Sequence, residues 1–254
     1  MRAVLQWLGS LIFTFWMFFS VAFYALAILV MGPAPYRYRF AICRAWAALI
    51  MKSADVLCGI TFEVRGKENL PEGTAIYMLK HSSAYETLAE IVMFPEQAWV
   101  LKRELQWVPI FGWALRLLRP IAINRSGGRN AVSQIIQQGD ALLNDGVNVM
   151  IFPEGTRVRH GSTRRYGMSG AALAGATGKP MIPVAHDAGR YWPRRGIIKH
   201  PGVVTFVIGK PVFVGDRDIR EVNAEMQQWV EQEIAAIDAE KRGGAVQSDN
   251  TRKY

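Results

Sequence analysis

The sequence predicts an α/β domain with a mostly parallel or mixed central sheet flanked by helices. It sits behind an N-terminal hydrophobic helix, or two-helix hairpin, that anchors it to a membrane. Three observations predict this. Residues 4–31 carry no charge; from residue 61 short β-rich runs alternate with stretches of helical periodicity; and half of the 254 residues are hydrophobic, enough to fill a core in a chain of this length.

In 4–31 the polar side chains of any weight are Gln6, Ser10, Thr14 and Ser20. A helix over this stretch would be roughly 42 Å long against a hydrocarbon core of about 30 Å, so it can span with tilt or lie obliquely. Trp7 and Trp16 are suited to the interface. A cleaved signal peptide would carry an apolar region of only about 7–15 residues. Gly32-Pro33-Ala34-Pro35 ends the segment, and a second, amphipathic stretch comes next at 40–58. Arg37, Arg39, Arg44 and Lys52 favour the cytoplasmic side for the remainder of the chain, although Arg2 weakens the bias and a hairpin dipping into one leaflet stays open. The chain thus divides into an anchor at 1–58, an α/β domain at 59–240 and a polar tail at 241–254 expected to be disordered.

Within the domain, strands are predicted at 61–64, 75–79, 98–101, 121–123, 147–152, 181–185 and 203–208. Helices are predicted at 128–144, stopped by Asp145-Gly146, and at 218–238, where Val222, Met226, Trp229, Val230, Ile234 and Ile237 recur at helical spacing. With 30 basic and 21 acidic side chains the chain carries a net charge of +9, which calls for anionic partners without choosing among phosphorylated metabolites, acidic lipids and nucleic acid. The only cysteines, Cys43 and Cys58, lie fifteen residues apart in apolar surroundings, a spacing that supports neither a disulfide scaffold nor a zinc site.

Chemistry is expected at strand ends. After the strand ending at Leu79 comes Lys80-His81-Ser82-Ser83-Ala84-Tyr85-Glu86. Five residues apart on one ideal helix, His81 and Glu86 would sit 140° apart around the axis. If Ser83 caps a helix that begins at Ala84, the Glu86 carboxylate can instead fold back to the imidazole and fix its tautomer. Ser83-x-x-Glu86 is equally a capping box, in which Glu86 only satisfies a backbone N–H. The strand ending at Phe152 runs into Pro153-Glu154-Gly155-Thr156-Arg157: a rigid turn, a close backbone approach and one planar cation suited to phosphate, or an ordinary turn with a solvated arginine.

Together these strand ends resemble the glycerolipid acyltransferases, specifically the 1-acyl-sn-glycerol-3-phosphate (lysophosphatidic acid) acyltransferases, across about residues 60–215. The family's four sequence blocks occur in order: the histidine–carboxylate block with His81 and Glu86, Ile123-Asn124-Arg125, the Phe-Pro-Glu-Gly-Thr-Arg block at 152–157, and Ile182-Pro183-Val184. The one departure of substance is Glu86, where the family usually carries aspartate.

The resemblance implies that His81, paired with Glu86, takes the proton from a lysophospholipid hydroxyl, whose oxygen attacks the thioester of an acyl-CoA or acyl-carrier protein. It implies that Arg125, Arg157 and the Gly155-Thr156 backbone hold the acceptor phosphate, with Glu154 orienting these cations or bonding the glycerol hydroxyl; Lys102 is a further phosphate candidate or, equally, a solvated lysine after a strand. No cofactor or metal is implied, and His160, His186 and His200 receive no chemistry. The implied partners are a phospholipid membrane, a lysophospholipid acceptor and an acyl-CoA or acyl-carrier protein, at the cytoplasmic face of a bacterial inner membrane.

The apolar stretch 107–119 is expected to divide between core and acyl channel. Two basic stretches, at 157–165 and 190–199, suit anionic head groups or an acidic carrier protein. Nucleic acid would use the same charges but explains neither the anchor nor the histidine–carboxylate block. Two rival readings remain: acylation of another lyso-lipid, such as a lyso-aminolipid or lysophosphatidylethanolamine, and a tethered scaffold that has lost catalysis.

Overall fold

The computed structural model describes residues 2–124 and 128–250. Helix α1 (Arg2–Val30) turns through 31–35 into α2 (Tyr36–Cys58), and the two pack against each other. Their contact is close: a Cβ on Gly9 would lie 2.1 Å from the Leu57 carbonyl oxygen, so only glycine fits there. Trp16 Nε1 donates to Ser53 Oγ and Trp46 Nε1 to Ser20 Oγ, each at 3.1 Å, stitching the pair from both sides.

The α/β part continues the chain as β1 (Ile60–Arg65), β2 (Ile76–Leu79), α3 (Tyr85–Met93), β3 (Gln97–Lys102), α4 (Phe111–Leu117) and β4 (Ile121–Ile123). It goes on with α5 (Arg129–Asn144), β5 (Asn148–Ile151), α6 (Ser169–Thr177), β6 (Met181–His186), α7 (Ala188–Tyr191), β7 (Gly202–Ile208) and α8 (Ile219–Asn250). The seven strands form one sheet in the order β1-β7-β6-β2-β5-β3-β4. All neighbouring pairs are parallel except β6 with β7, so the sheet is mixed. The central β2 and β5 are buried at every position and read as unbroken apolar runs, as strands covered on both faces do.

One face of the sheet is covered by α1 to α4, whose Phe13, Ile50, Leu88 and Leu115 share a core with Tyr77 and Leu79 of β2. The first two helices are therefore packed onto the α/β domain. The other face is covered by α5, α6 and α8 through Ile135, Leu142, Leu173, Val222 and Met226. Arg44 of α2 caps the end of α3, donating to the carbonyls of Ile91 (3.1 Å) and Phe94 (2.5 Å), where a cation also meets the negative end of the helix.

Two expectations need correction or completion. Helix α8 runs on to Asn250, whereas the composition beyond Lys241 predicts disorder. A nucleated helix extends at one backbone hydrogen bond per added residue, so the packed turns at Val230, Ile234 and Ile237 can carry a polar extension. In α1 the four polar residues are all engaged: Gln6, Ser10 and Thr14 bond Lys199, and Ser20 bonds Trp46. Near its other end α1 packs on α4. Phe15, Phe18 and Phe23 meanwhile stand outward, each more than half exposed. The helix is long and apolar enough to cross a membrane, and 22% of that apolar stretch is buried against the rest of the protein.

Candidate active site

The parallel order around β2 brings the informative segments together. In a mixed or parallel sheet, ligands bind beyond the carboxyl ends of the strands where connections diverge. Here His81 follows just beyond the end of β2, residues 152–157 follow its neighbour β5, Asn124 follows β4, and β3 ends at Lys102.

His81 is held at four points. Its backbone N–H donates to Glu154 Oε2 (3.2 Å), its carbonyl accepts the Val158 N–H (2.7 Å), its ring stacks on Phe152 at 4.1 Å between centroids, and its Nδ1 lies 2.9 Å from Glu86 Oε1. The same Glu86 oxygen accepts the N–H groups of Ser82 (3.0 Å) and Ser83 (2.9 Å), while Ser83 Oγ accepts from Tyr85 N (3.1 Å). The helix begins at Tyr85 with Ala84 as its N-cap residue, one position later than expected, and the half of the capping box that Glu86 supplies shares one carboxylate oxygen with the His81 pair. His81 lies before the helix, so the 140° separation never applies, and the extra methylene of glutamate leaves the contact at hydrogen-bond length.

Burial pushes the Glu86 carboxyl up, but the His81 hydrogen bond, neighbouring imidazoles and the Ser83 N–H outweigh it and hold it below its ordinary value. An ionised carboxylate only accepts, so Nδ1 carries the proton it donates, and Nε2 is the ring nitrogen left outside this contact.

Beside His81 opens a cavity of about 570 Å³. It is walled mainly by apolar side chains of α1 to α4 and β3, among them Met17, Val21, Leu88, Leu101 and Leu115, with Arg157 and Lys102 also on its lining. Among the described residues, Arg157 Nε is buried without a hydrogen-bond partner, and Lys102 lies 3.7 Å from Glu104 Oε1. From the 107–119 stretch, Phe111, Ala114, Leu115 and Leu118 line the cavity while Trp107 and Trp113 stand exposed.

Glu154, Gly155 and Thr156 are not among the lining residues. Gly155 adopts φ +68°, with open space where a Cβ would lie, so its glycine answers to backbone conformation. Glu154 is buried and braces His81 from behind. Arg125 lies outside the described residues.

Lys80 is a functional neighbour that sequence reasoning left without a role. Its buried ammonium pairs with Glu231 of α8, donates to the Ser162 carbonyl (3.2 Å) and lies 3.7 Å from Glu154 Oε1. His186 donates from Nε2 to the Lys80 carbonyl (2.6 Å), His160 bonds Asp238 (3.0 Å) and His200 accepts from Gln6 (3.1 Å), so these three histidines are engaged in structure.

Burial pushes the Glu154 carboxyl from 4.5 up to about 7, outweighing the pull of Lys80. The unfolded chain releases this proton from about pH 4.5 and the folded chain holds it to about pH 7, so stability falls as pH rises through that window. Glu154→Gln, neutral throughout, is expected to remove this fall, on the order of 3 kcal/mol. Denaturant unfolding of both proteins across the window measures it; equal slopes would refute it.

Comparison with known proteins bears on the family and the fold. An acyltransferase family model matches residues 61–187. The chain is 42% identical, over 86% of its length and 84% of the relative's, to the 1-acyl-sn-glycerol-3-phosphate acyltransferase of Pseudomonas aeruginosa. It is 28% identical to the Escherichia coli protein of the same name, over 66% of this chain and 70% of that one. The crystal structure of the 1-acyl-sn-glycerophosphate (LPA) acyltransferase PlsC from Thermotoga maritima shares the fold, with a TM-score of 0.79 at 22% identity over 94% of this chain and 98% of that one. With the family model spanning half of the chain and the Pseudomonas relative most of it, this chain belongs to the 1-acyl-sn-glycerol-3-phosphate acyltransferase family.

Proposed function

We propose that this protein transfers a fatty acyl group from acyl-CoA or acyl-carrier protein to the sn-2 hydroxyl of lysophosphatidic acid, giving phosphatidic acid. The observation that carries the reading is the His81 and Glu86 pair at the wall of an apolar cavity that also presents Arg157. His81 Nε2 takes the hydroxyl proton as the oxygen attacks the thioester carbonyl. The tetrahedral intermediate collapses with loss of the thiolate, and the imidazolium returns the proton to that sulfur. Glu86 stabilises the imidazolium in between. No acyl-enzyme is formed.

The cavity takes the acyl chain, and Arg157 with Lys102 takes the phosphate, for which a planar guanidinium is well shaped. Arg125 is proposed as a third cation and the Gly155-Thr156 backbone as a donor surface. The outward phenylalanines of α1 rest in the leaflet facing the domain, which supports a monotopic placement on the cytoplasmic face of a bacterial inner membrane, with basic side chains meeting acidic head groups.

Arg157→Ala is expected to raise the KM for the lysophospholipid about ten- to a hundredfold, as loss of a charge-assisted hydrogen bond does, with a much smaller change for the thioester. Initial rates with each substrate varied in turn measure this. Equal effects on both would assign Arg157 a structural role.

A further inference from the structure

Resting on the acyl-cavity reading above, we propose that Glu90 is a specificity-determining residue that hydrogen-bonds an oxygen carried on the acyl chain, so that the cavity favours hydroxy- or oxo-substituted acyl thioesters over plain ones. Glu90 belongs to α3, one turn beyond Glu86, and is among the residues lining the cavity. Its side chain is fully buried. Trp99 Nε1 on β3 donates to Glu90 Oε1 at 2.8 Å, and Oε2 has no hydrogen-bond partner among the described residues.

No cation among the described residues pairs with this carboxyl. Arg44, on the neighbouring α2, spends its guanidinium on the carbonyls of Ile91 and Phe94 and over the Phe40 ring. Burial, and after it the nearby Glu86 charge, push the Glu90 carboxyl well above its ordinary value, which favours the protonated form. A protonated carboxyl has one O–H to give. With Oε1 already accepting from Trp99, that donor belongs on the unpartnered Oε2, and Glu90 shares the cavity lining with Cys43, Leu88, Ile91 and Leu101.

A donor left unpaired in such surroundings costs free energy that a leucine of similar size would not. A plain acyl chain offers it nothing. A chain with an oxygen at the matching carbon completes the hydrogen bond, and sites built to bond a substrate hydroxyl discriminate strongly against the analogue that lacks it.

The test uses the full-length protein in mixed micelles with lysophosphatidic acid as acceptor. The donors are hexadecanoyl-CoA and a series of hydroxyhexadecanoyl-CoA thioesters with the hydroxyl moved along the chain. Wild type is expected to show a peak in kcat/KM at one hydroxyl position, at least about tenfold above the other positions. Glu90→Leu should lose the peak, and Glu90→Gln, whose amide still donates, should keep most of it. A wild-type profile that is flat or changes steadily along the chain would overturn the proposal even if the leucine variant failed to fold. So would an unchanged peak in a Glu90→Leu protein with a native melting transition. Transfer of plain hexadecanoyl groups with a flat profile refutes Glu90 alone, whereas absence of transfer from every thioester, offered on CoA and again on acyl-carrier protein, refutes the acyltransferase reading and the proposal with it.

Discussion

His81→Ala is expected to lower kcat by at least about a hundredfold, because positioned general-base help is worth about 10²–10⁴ in rate. The ring is held by Glu86 at Nδ1 and by Phe152 at its face, and His81 lines the cavity, so in the proposed mechanism Nε2 is the proton acceptor. The substitution removes little from the core, and the N–H and carbonyl of residue 81 keep their partners in Glu154 and Val158. The fold should survive, which a thermal melt checks. KM for both substrates should move little, since neither the cations nor the apolar wall is altered. A variant that melts like wild type and retains most of the activity would remove His81 from the chemistry.

Glu86→Gln is expected to cost on the order of 10²–10⁴ in kcat, as loss of an orienting carboxylate beside a catalytic imidazole does. Glutamine keeps the size and an acceptor oxygen for the Ser82 and Ser83 N–H groups, so the start of α3 should hold. What disappears is the negative charge that sets the Nδ1–H tautomer and stabilises the imidazolium. This separates the two roles that coincide at one oxygen. If Glu86 only capped the helix, glutamine would leave kcat within a few fold of wild type while alanine lowered stability by about 1–2 kcal/mol. Glu86→Asp is expected to fall between wild type and glutamine, since its carboxylate must reach across one methylene less.

Much of this site was legible because its parts are local. The strands announce themselves as apolar runs ended by turn residues, and chemistry gathers at the ends of β2 and β5 because parallel neighbours finish on the same edge of the sheet. Sequence spacing left open whether Glu86 faces His81, because that depended on where α3 begins; the observed start at Tyr85 frees His81 from helical geometry. Long-range pairings left no local trace. Lys80 meets Glu231 across 151 residues, and the antiparallel turn of β7 against β6 depends on packing that no window of sequence contains. Glu90 was hidden for a different reason: a glutamate one turn along an amphipathic helix reads as solvated, and only the tertiary structure places it inside the cavity wall. Arg125, at the end of the second block, lies outside the described residues.

The most direct measurement is transfer of a labelled acyl group, from acyl-CoA and separately from acyl-carrier protein, to lysophosphatidic acid and to a panel of other lysolipids, comparing wild type with His81→Ala. Label in phosphatidic acid from at least one donor, strongest with lysophosphatidic acid and lost in the variant, is the expected result. Label in no lysolipid from either donor, or label that does not depend on His81, would contradict it.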